Sequence, residues 1–217
     1  MEPLAILVRH GESELNLHNK GPDVIATGRT DTPLTLRGEQ EAQATGVRIA
    51  GIPLALAVCS PLIRARRTAE LALAQHPHPP TLIADEHFTE RSLGIFEGLH
   101  LSEIEKRFPA YSSDPALIRW KMDYVHHAPE GENMAQVEER VLEGYEMLCT
   151  QYPRDNFAIF SHIVAIRCLL RPLLHLSKEE TIHLHIPNAA PLILARTPEP
   201  HLIGEMTLET LHALEKK

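Results

Sequence analysis

The chain has 217 residues, 43% hydrophobic and 23% charged, close to the average for globular proteins, which excludes disordered, collagen-like and coiled-coil chains. Lys and Arg total 21 against 29 Asp and Glu, a formal charge of -8, so nothing draws the whole protein to nucleic acid or an anionic membrane, and any anion site must be local. The three cysteines, Cys59, Cys149 and Cys168, are odd in number and far apart, which suits neither a disulfide framework nor a zinc set.

Residues 4–8 (Leu-Ala-Ile-Leu-Val) form a short continuous apolar run, the pattern of a strand covered on both faces in a mostly parallel sheet. Arg9 and His10 follow at once, where a cleaved leader would need small residues. No apolar stretch approaches the ~20 residues of a membrane helix. These features predict a cytoplasmic protein with one domain over residues 1–217.

Residues 36–49 mix small and apolar positions with Glu39, Glu41 and Arg48, and Gly51 with Pro53 closes the segment, as expected for a helix. A second buried strand is predicted at 54–59, followed by a helix opening at Ser60-Pro61, where serine caps free amides and proline is harmless. Residues 81–84 make a weaker strand candidate. The stretch 99–129 mixes aromatics, charges and prolines with a helical patch at 101–108, and reads as an insertion over the active edge of the sheet.

From Asn133 apolar residues recur at helical spacing toward Pro153, and Asn133 with Gln136 resembles a capping box. A strand at 157–160, a second box at Ser177 and Glu180 ahead of a short helix, and a strand at 191–195 complete the pattern. The fold class is therefore α/β, a three-layer α/β/α sandwich whose mostly parallel central sheet holds four or five buried strands.

Chemistry concentrates where these strands should end, since ligands of open α/β sheets bind beyond the strand carboxyl ends. Val8-Arg9-His10-Gly11-Glu12-Ser13 places an imidazole, a nucleophile once its second nitrogen is held protonated, beside a guanidinium fork. Arg64, in the first turn after Ser60-Pro61, adds donors at a helix amino end, whereas Arg66 and Arg67 are expected in solvent. His162 ends the strand at 157–160. Glu90 sits in a Gly-punctuated turn, where a partly apolar pocket would suit a general acid.

As an ordered set these residues resemble the histidine phosphatases, the phosphoglycerate mutase-like superfamily, over nearly the whole chain. Besides Arg9-His10-Gly11-Glu12 the likeness includes Asn16, Thr27-Gly28, Ser60-Pro61-Leu62 with Arg64, Glu90, Gly94, Glu97-Gly98, Pro129-Glu130-Gly131-Glu132 and Ser161-His162 with Arg167. The resemblance implies that His10 attacks phosphorus, that Arg9, Arg64 and His162 bind the phosphoryl oxygens, and that Glu90 is the proton donor. Asn16 matches a phosphate-pocket position, with Glu12, Thr27 and Ile163 as further substrate neighbours. Three cationic or donor groups meet the transferring charge, so neither a metal nor another cofactor is expected.

Within that family the mutase branch carries extra cations for a carboxylate and a second phosphate. Here the corresponding places hold Leu101 or a neighbour and Arg119-Trp120-Lys121, with Arg91 and Lys121 as partial compensation, and Ile163 stands where glycine is common. A phosphatase of a small phosphorylated metabolite is the preferred reading, phosphoglycerate mutase the runner-up, and a non-catalytic phosphate-binding module the third. The segment 106–127, with Tyr111, Trp120, Tyr124, His126 and His127, is expected to act as a lid, and residues 19–26 to shape the pocket mouth. The pairs His76/His78, His126/His127 and His183/His185 are read as loop histidines rather than metal ligands. Neither nucleic acid nor membrane is an expected partner. A homodimer is compatible with the resemblance, and no apolar stripe decides oligomeric state.

Overall fold

Six strands, β1 (Leu4–Arg9), β2 (Leu56–Cys59), β3 (Thr81–Ala84), β4 (Phe157–Ser161), β5 (Pro191–Ala195) and β6 (His201–Ile203), form one sheet in the computed structural model, which describes residues 2–215. Their order is β3-β2-β4-β1-β5-β6, with β3, β2, β4 and β1 mutually parallel and β5 and β6 antiparallel. The helices are α1 (Glu14–His18), α2 (Leu36–Ile49), α3 (Ile63–Leu73), α4 (Leu101–Arg107), α5 (Ala110–Ser113), α6 (Met134–Gln151), α7 (Ile163–Leu173), α8 (Lys178–His183) and α9 (Leu208–Glu215). No described helix is long and apolar enough to cross a membrane.

The central strands are continuously apolar because successive side chains serve different layers. Ala5, Leu7, Val58, Phe157 and Ile159 pack against α6 and α7, through Val137, Val141, Ile166 and Leu169. Ile6, Val8, Ala57, Ala158 and Phe160 pack on the other face against Ile49 of α2 and Ala69, Ala72 and Leu73 of α3. Two helical layers thus enclose the sheet, as the sequence pattern predicts.

Local signals set most helix starts. Thr35 caps α2 by accepting the Gly38 N–H, and capping boxes open α6 at Asn133/Gln136 and α8 at Ser177/Glu180. A further box, Ser13/Asn16, opens α1.

Three expectations are corrected. Helix α3 starts at Ile63 with Leu62 as an uncapped N-cap, two residues later than Ser60-Pro61 suggests, while the Ser60 hydroxyl accepts the Leu62 N–H and meets His162. Strand β3 exists but lies at the sheet edge, with Thr81, Ile83 and Ala84 exposed. The three-residue β6 beyond it on the opposite edge has no apolar run to reveal it, and forms by pairing to β5.

The insertion packs with Leu93, Phe96 and Ala26 into a small separate core. Phe96 meets Trp120 edge-on at 4.9 Å and Tyr111 at 5.1 Å, with Leu93, Ile104 and Ala128 closing around them. This cluster fastens the 3-10 turn Leu117–Lys121 beside the carboxyl ends of the parallel strands.

Candidate active site

Register brings the two histidines together. Strands β1 and β4 pair in parallel with Arg9 opposite Ser161, so the next residues, His10 and His162, leave the sheet side by side, tied by His10 N–H donating to Ser161 O at 3.0 Å. Their ring centroids are 5.2 Å apart. Strand β2 ends in the same row, Cys59 opposite Phe160, and delivers Ser60 and then α3 with Arg64.

His10 is buried, and its Nδ1 lies 2.8 Å from Gly11 O. A carbonyl only accepts, so Nδ1 carries the proton and Nε2 keeps its lone pair. Burial, then the Arg9 and Arg64 guanidiniums, hold the imidazole well below its ordinary pKa, so it is neutral at pH 7. His162 is fully buried and shifted the same way, by burial and then by Arg64. Its Nε2 lies 2.8 Å from Ser60 Oγ. That oxygen also accepts the Leu62 N–H at 3.3 Å, and it can still exchange a hydrogen bond with Nε2.

The cations around His10 are anchored by carbonyls. Arg9 Nη1 donates to Ile186 O at 2.8 Å, while burial lowers its pKa to about 10, still cationic at neutral pH. Arg64 donates to Thr30 O at 2.9 Å and Gly28 O at 2.7 Å. Arg9 Nε, a donor, and the ring nitrogen His162 Nδ1 are buried with no partner among the described residues, the feature expected where a ligand completes the hydrogen bonding.

Arg9, His10, Arg64 and Glu90 line one pocket of about 320 Å³, joined by Asn16, Thr27 and Ile163. His162 is fully buried beside His10 and is not among the lining residues. Glu90 accepts the Arg91 N–H at 2.8 Å and the Val164 N–H at 3.3 Å. Ile163 is the first residue of α7, in ordinary helical backbone, so this position makes no demand for glycine.

Of the nine residues singled out from the sequence, seven line the pocket, and Glu12 joins His162 off its wall. The Glu12 carboxylate is held by Lys20 and by the Thr35 hydroxyl, outside the pocket wall, and the Lys20 bond keeps its pKa low. The outer wall uses Asn19, Val24 and Ile25 from the predicted mouth segment, with Trp120, Lys121 and Met122 from the insertion. Of the five lid side chains named from the sequence, only Trp120 lines the pocket. Tyr111 packs on Phe96, Tyr124 is buried beside Arg171 and Lys178, His126 meets Asp123 and His127 meets Ala128 O.

Sequence reasoning missed the residues that hold this arrangement. Glu97, quoted only as part of a motif, accepts the N–H groups of Leu93, Gly28, Arg29 and Thr30, and thereby fixes the loop whose carbonyls hold Arg64. Arg140 donates to the carbonyls of His87, Thr89 and Glu90 and pairs with Glu132, setting the backbone that carries Glu90. Asn188 donates to His10 O, and Thr68 joins Gly11 N to Arg64 O. No local pattern marks them, because each acts across the chain.

Comparison with known proteins agrees with this geometry. A 2,3-bisphosphoglycerate-dependent phosphoglycerate mutase of Cytophaga hutchinsonii is 31% identical over 191 residues, 87% of this chain and 85% of that one. The uncharacterized phosphatase PhoE of Bacillus subtilis is 34% identical over 164 residues, 76% of this chain and 74% of its own. The crystal structure of a putative alpha-ribazole-5'-P phosphatase from Escherichia coli superposes with a TM-score of 0.77 at 22% identity, covering 94% of this chain and 95% of that one, and shares the fold. The model of the histidine phosphatase superfamily (branch 1) matches residues 5–206, and the chain belongs to that superfamily.

Proposed function

We propose that the protein is a phosphatase that hydrolyses a small phosphorylated metabolite through a phosphohistidine at His10, without a metal ion. The observation that carries this reading is a buried imidazole with its Nε2 lone pair free, set beside two partnerless buried nitrogens, Arg9 Nε and His162 Nδ1. Phosphoryl oxygens would accept from these nitrogens and from Arg64 as charge spreads in the transition state.

In the first step Nε2 of His10 attacks phosphorus in line, the N–P bond forms as the bond to the leaving oxygen breaks, and Glu90 gives that oxygen its proton. A water then attacks phosphorus while the Glu90 carboxylate takes its proton. The N–P electron pair returns to Nε2 and phosphate leaves. Asn16, Thr27 and Ile163 shape the phosphoryl end.

The outer wall favours hydrolysis over mutase chemistry. Val24, Ile25, Leu101, Trp120 and Met122 present apolar surface there. Arg91 also lines the pocket, its Nη1 and Nη2 bonded to the carbonyls of Trp120 and Lys121 and its Nε without a partner among the described residues, while Arg119 is held by Asp123 at 2.7 Å. Lys121 lines the wall, a single ammonium where a mutase substrate brings a carboxylate and a second phosphate. Phosphoglycerate mutase is the second reading, favoured by the likeness to the Cytophaga enzyme. The three cysteines are free, which fits a cytoplasmic location.

The test is phosphate release from an aryl phosphate between mildly acid and neutral pH in excess chelator, with His10→Ala alongside. Release that survives chelation and vanishes in His10→Ala is expected. Absence of release, with transfer from 2,3-bisphosphoglycerate to His10 and on to a phosphoglycerate, would replace the phosphatase by the mutase. A chain that binds phosphate yet neither releases nor accepts a phosphoryl group would be a binding module.

A further inference from the structure

Beyond the pocket, one cluster of side chains has the composition and spacing of a metal site. His18 ends α1, Asp23 lies in the mouth segment and His100 precedes α4. One ligand atom from each, two imidazole nitrogens and a carboxylate oxygen, lie within 4.8 Å of one another. His18 and Asp23 are exposed and His100 half-buried, so the cluster faces solvent and leaves room for water to complete a coordination shell. His100 Nδ1 is 2.8 Å from Asp23 Oδ1, and the His18 and His100 rings meet edge-on at 6.4 Å.

We propose that His18, Asp23 and His100 bind one borderline divalent cation, with Zn2+ the best match, and that the ion fastens the outer rim of the pocket. Two imidazoles and one carboxylate with an open position are a donor set that zinc accepts, whereas Mg2+ and Ca2+ favour oxygen ligands throughout. The three ligands come from three segments that each supply pocket residues: α1 with Asn16, the mouth segment with Val24 and Ile25, and the start of α4 with Leu101. Those segments are already laced by backbone hydrogen bonds, Leu101 N–H to Val24 O at 2.9 Å and Ala26 N–H to Leu99 O at 2.8 Å. An ion across them locks the rim in this arrangement. It stands on the outer side of that rim and takes no part in phosphoryl transfer.

The experiment is calorimetric titration of the full chain with ZnCl2, after stripping with chelator, for the unaltered protein and for His18→Ala and His100→Ala. Circular dichroism and thermal midpoints without metal check that the exposed substitutions leave the fold intact. One saturable equivalent per chain is expected, lost in both variants, with a zinc-dependent rise in the thermal midpoint that disappears with it. No saturable equivalent in the unaltered protein, or one that persists in both variants, would overturn the site, since it would then belong to other histidines. Binding is read directly, so the result stands whichever activity the pocket proves to have.

Discussion

Replacing Arg140 by methionine separates positioning of Glu90, the proposed proton donor, from everything else in the pocket. The guanidinium donates to His87 O and Thr89 O at 2.8 Å each and to Glu90 O at 3.2 Å, and it forks onto Glu132 at 2.9 and 3.1 Å. Hydrogen bonds to a charged group contribute about 1.5–3 kcal/mol each, but the Arg140 and Glu132 side chains are 17% and 19% exposed, so water rehydrates part of what is lost. Glu132 also keeps the Ser92 N–H and Arg29 as partners. A net loss of about 2–4 kcal/mol in unfolding free energy follows, which a domain of ordinary stability survives.

Without the fork, residues 87–90 lose their common anchor and the Glu90 carboxyl drifts from the leaving oxygen. A misplacement near 1 Å costs roughly 100-fold in rate, or about 2.7 kcal/mol. That penalty falls on substrates whose leaving group needs the proton. The assay is therefore kcat for an alkyl phosphate against kcat for a nitrophenyl phosphate, whose anion leaves unaided. Arg140→Met should lower the first by about 100-fold, within the range of general acid catalysis, and the second far less, with KM little changed. Equal losses on both substrates, or a loss confined to KM, would refute the positioning role and leave only a structural one.

Two further outcomes follow from the same geometry. His10 and His162 are held well below the ordinary histidine pKa by burial and by the neighbouring guanidiniums; below about pH 6.5 the unfolded chain therefore binds protons that the folded chain refuses. Stability is then fullest above that pH and falls as pH drops through it, by up to about 1.4 kcal/mol per pH unit for each histidine, which urea midpoints at several pH values measure; a flat profile between pH 7 and 5 would contradict the assignment. Gly11→Ala should misplace the loop that carries His10, because a Cβ there meets the backbone oxygen of Gly38 at 2.3 Å, which no side-chain rotation can relieve. A loss of about 1–3 kcal/mol by chemical denaturation is expected, together with a fall in activity.

Much of the fold is legible locally because its causes are local. The bounds of α2 follow from Thr35 and the Gly51 stop, and the capping boxes at Asn133 and Ser177 act over four residues each. Apolar runs at 4–8 and 157–160 are buried on both faces whichever strands they join, and a histidine directly after each is chemistry placed by chain order. For that reason Arg9, His10, Arg64, Glu90 and His162 could be singled out before any contact was known.

What the chain order does not contain is pairing across it. The β1–β4 register decides that His10 meets His162, and the Ser60 hydroxyl, a plausible helix cap in sequence, also meets His162 at 2.8 Å because those strand ends converge. Glu12 reads as a pocket residue beside His10, yet Lys20 and Thr35 draw its carboxylate away. The supports of the site, Glu97, Arg140 and Asn188, bond to partners about 50 to 180 residues distant, and His18 joins Asp23 and His100 only when the mouth segment lies against α4. The sequence by itself determined the buried strands, the capping boxes at Asn133 and Ser177 and the reactive residue types, since each rests on neighbouring atoms. Tertiary structure alone decided which buried nitrogens remain unpaired and which carbonyls hold the cations, because a hydrogen bond forms by distance in space, whatever the separation along the chain.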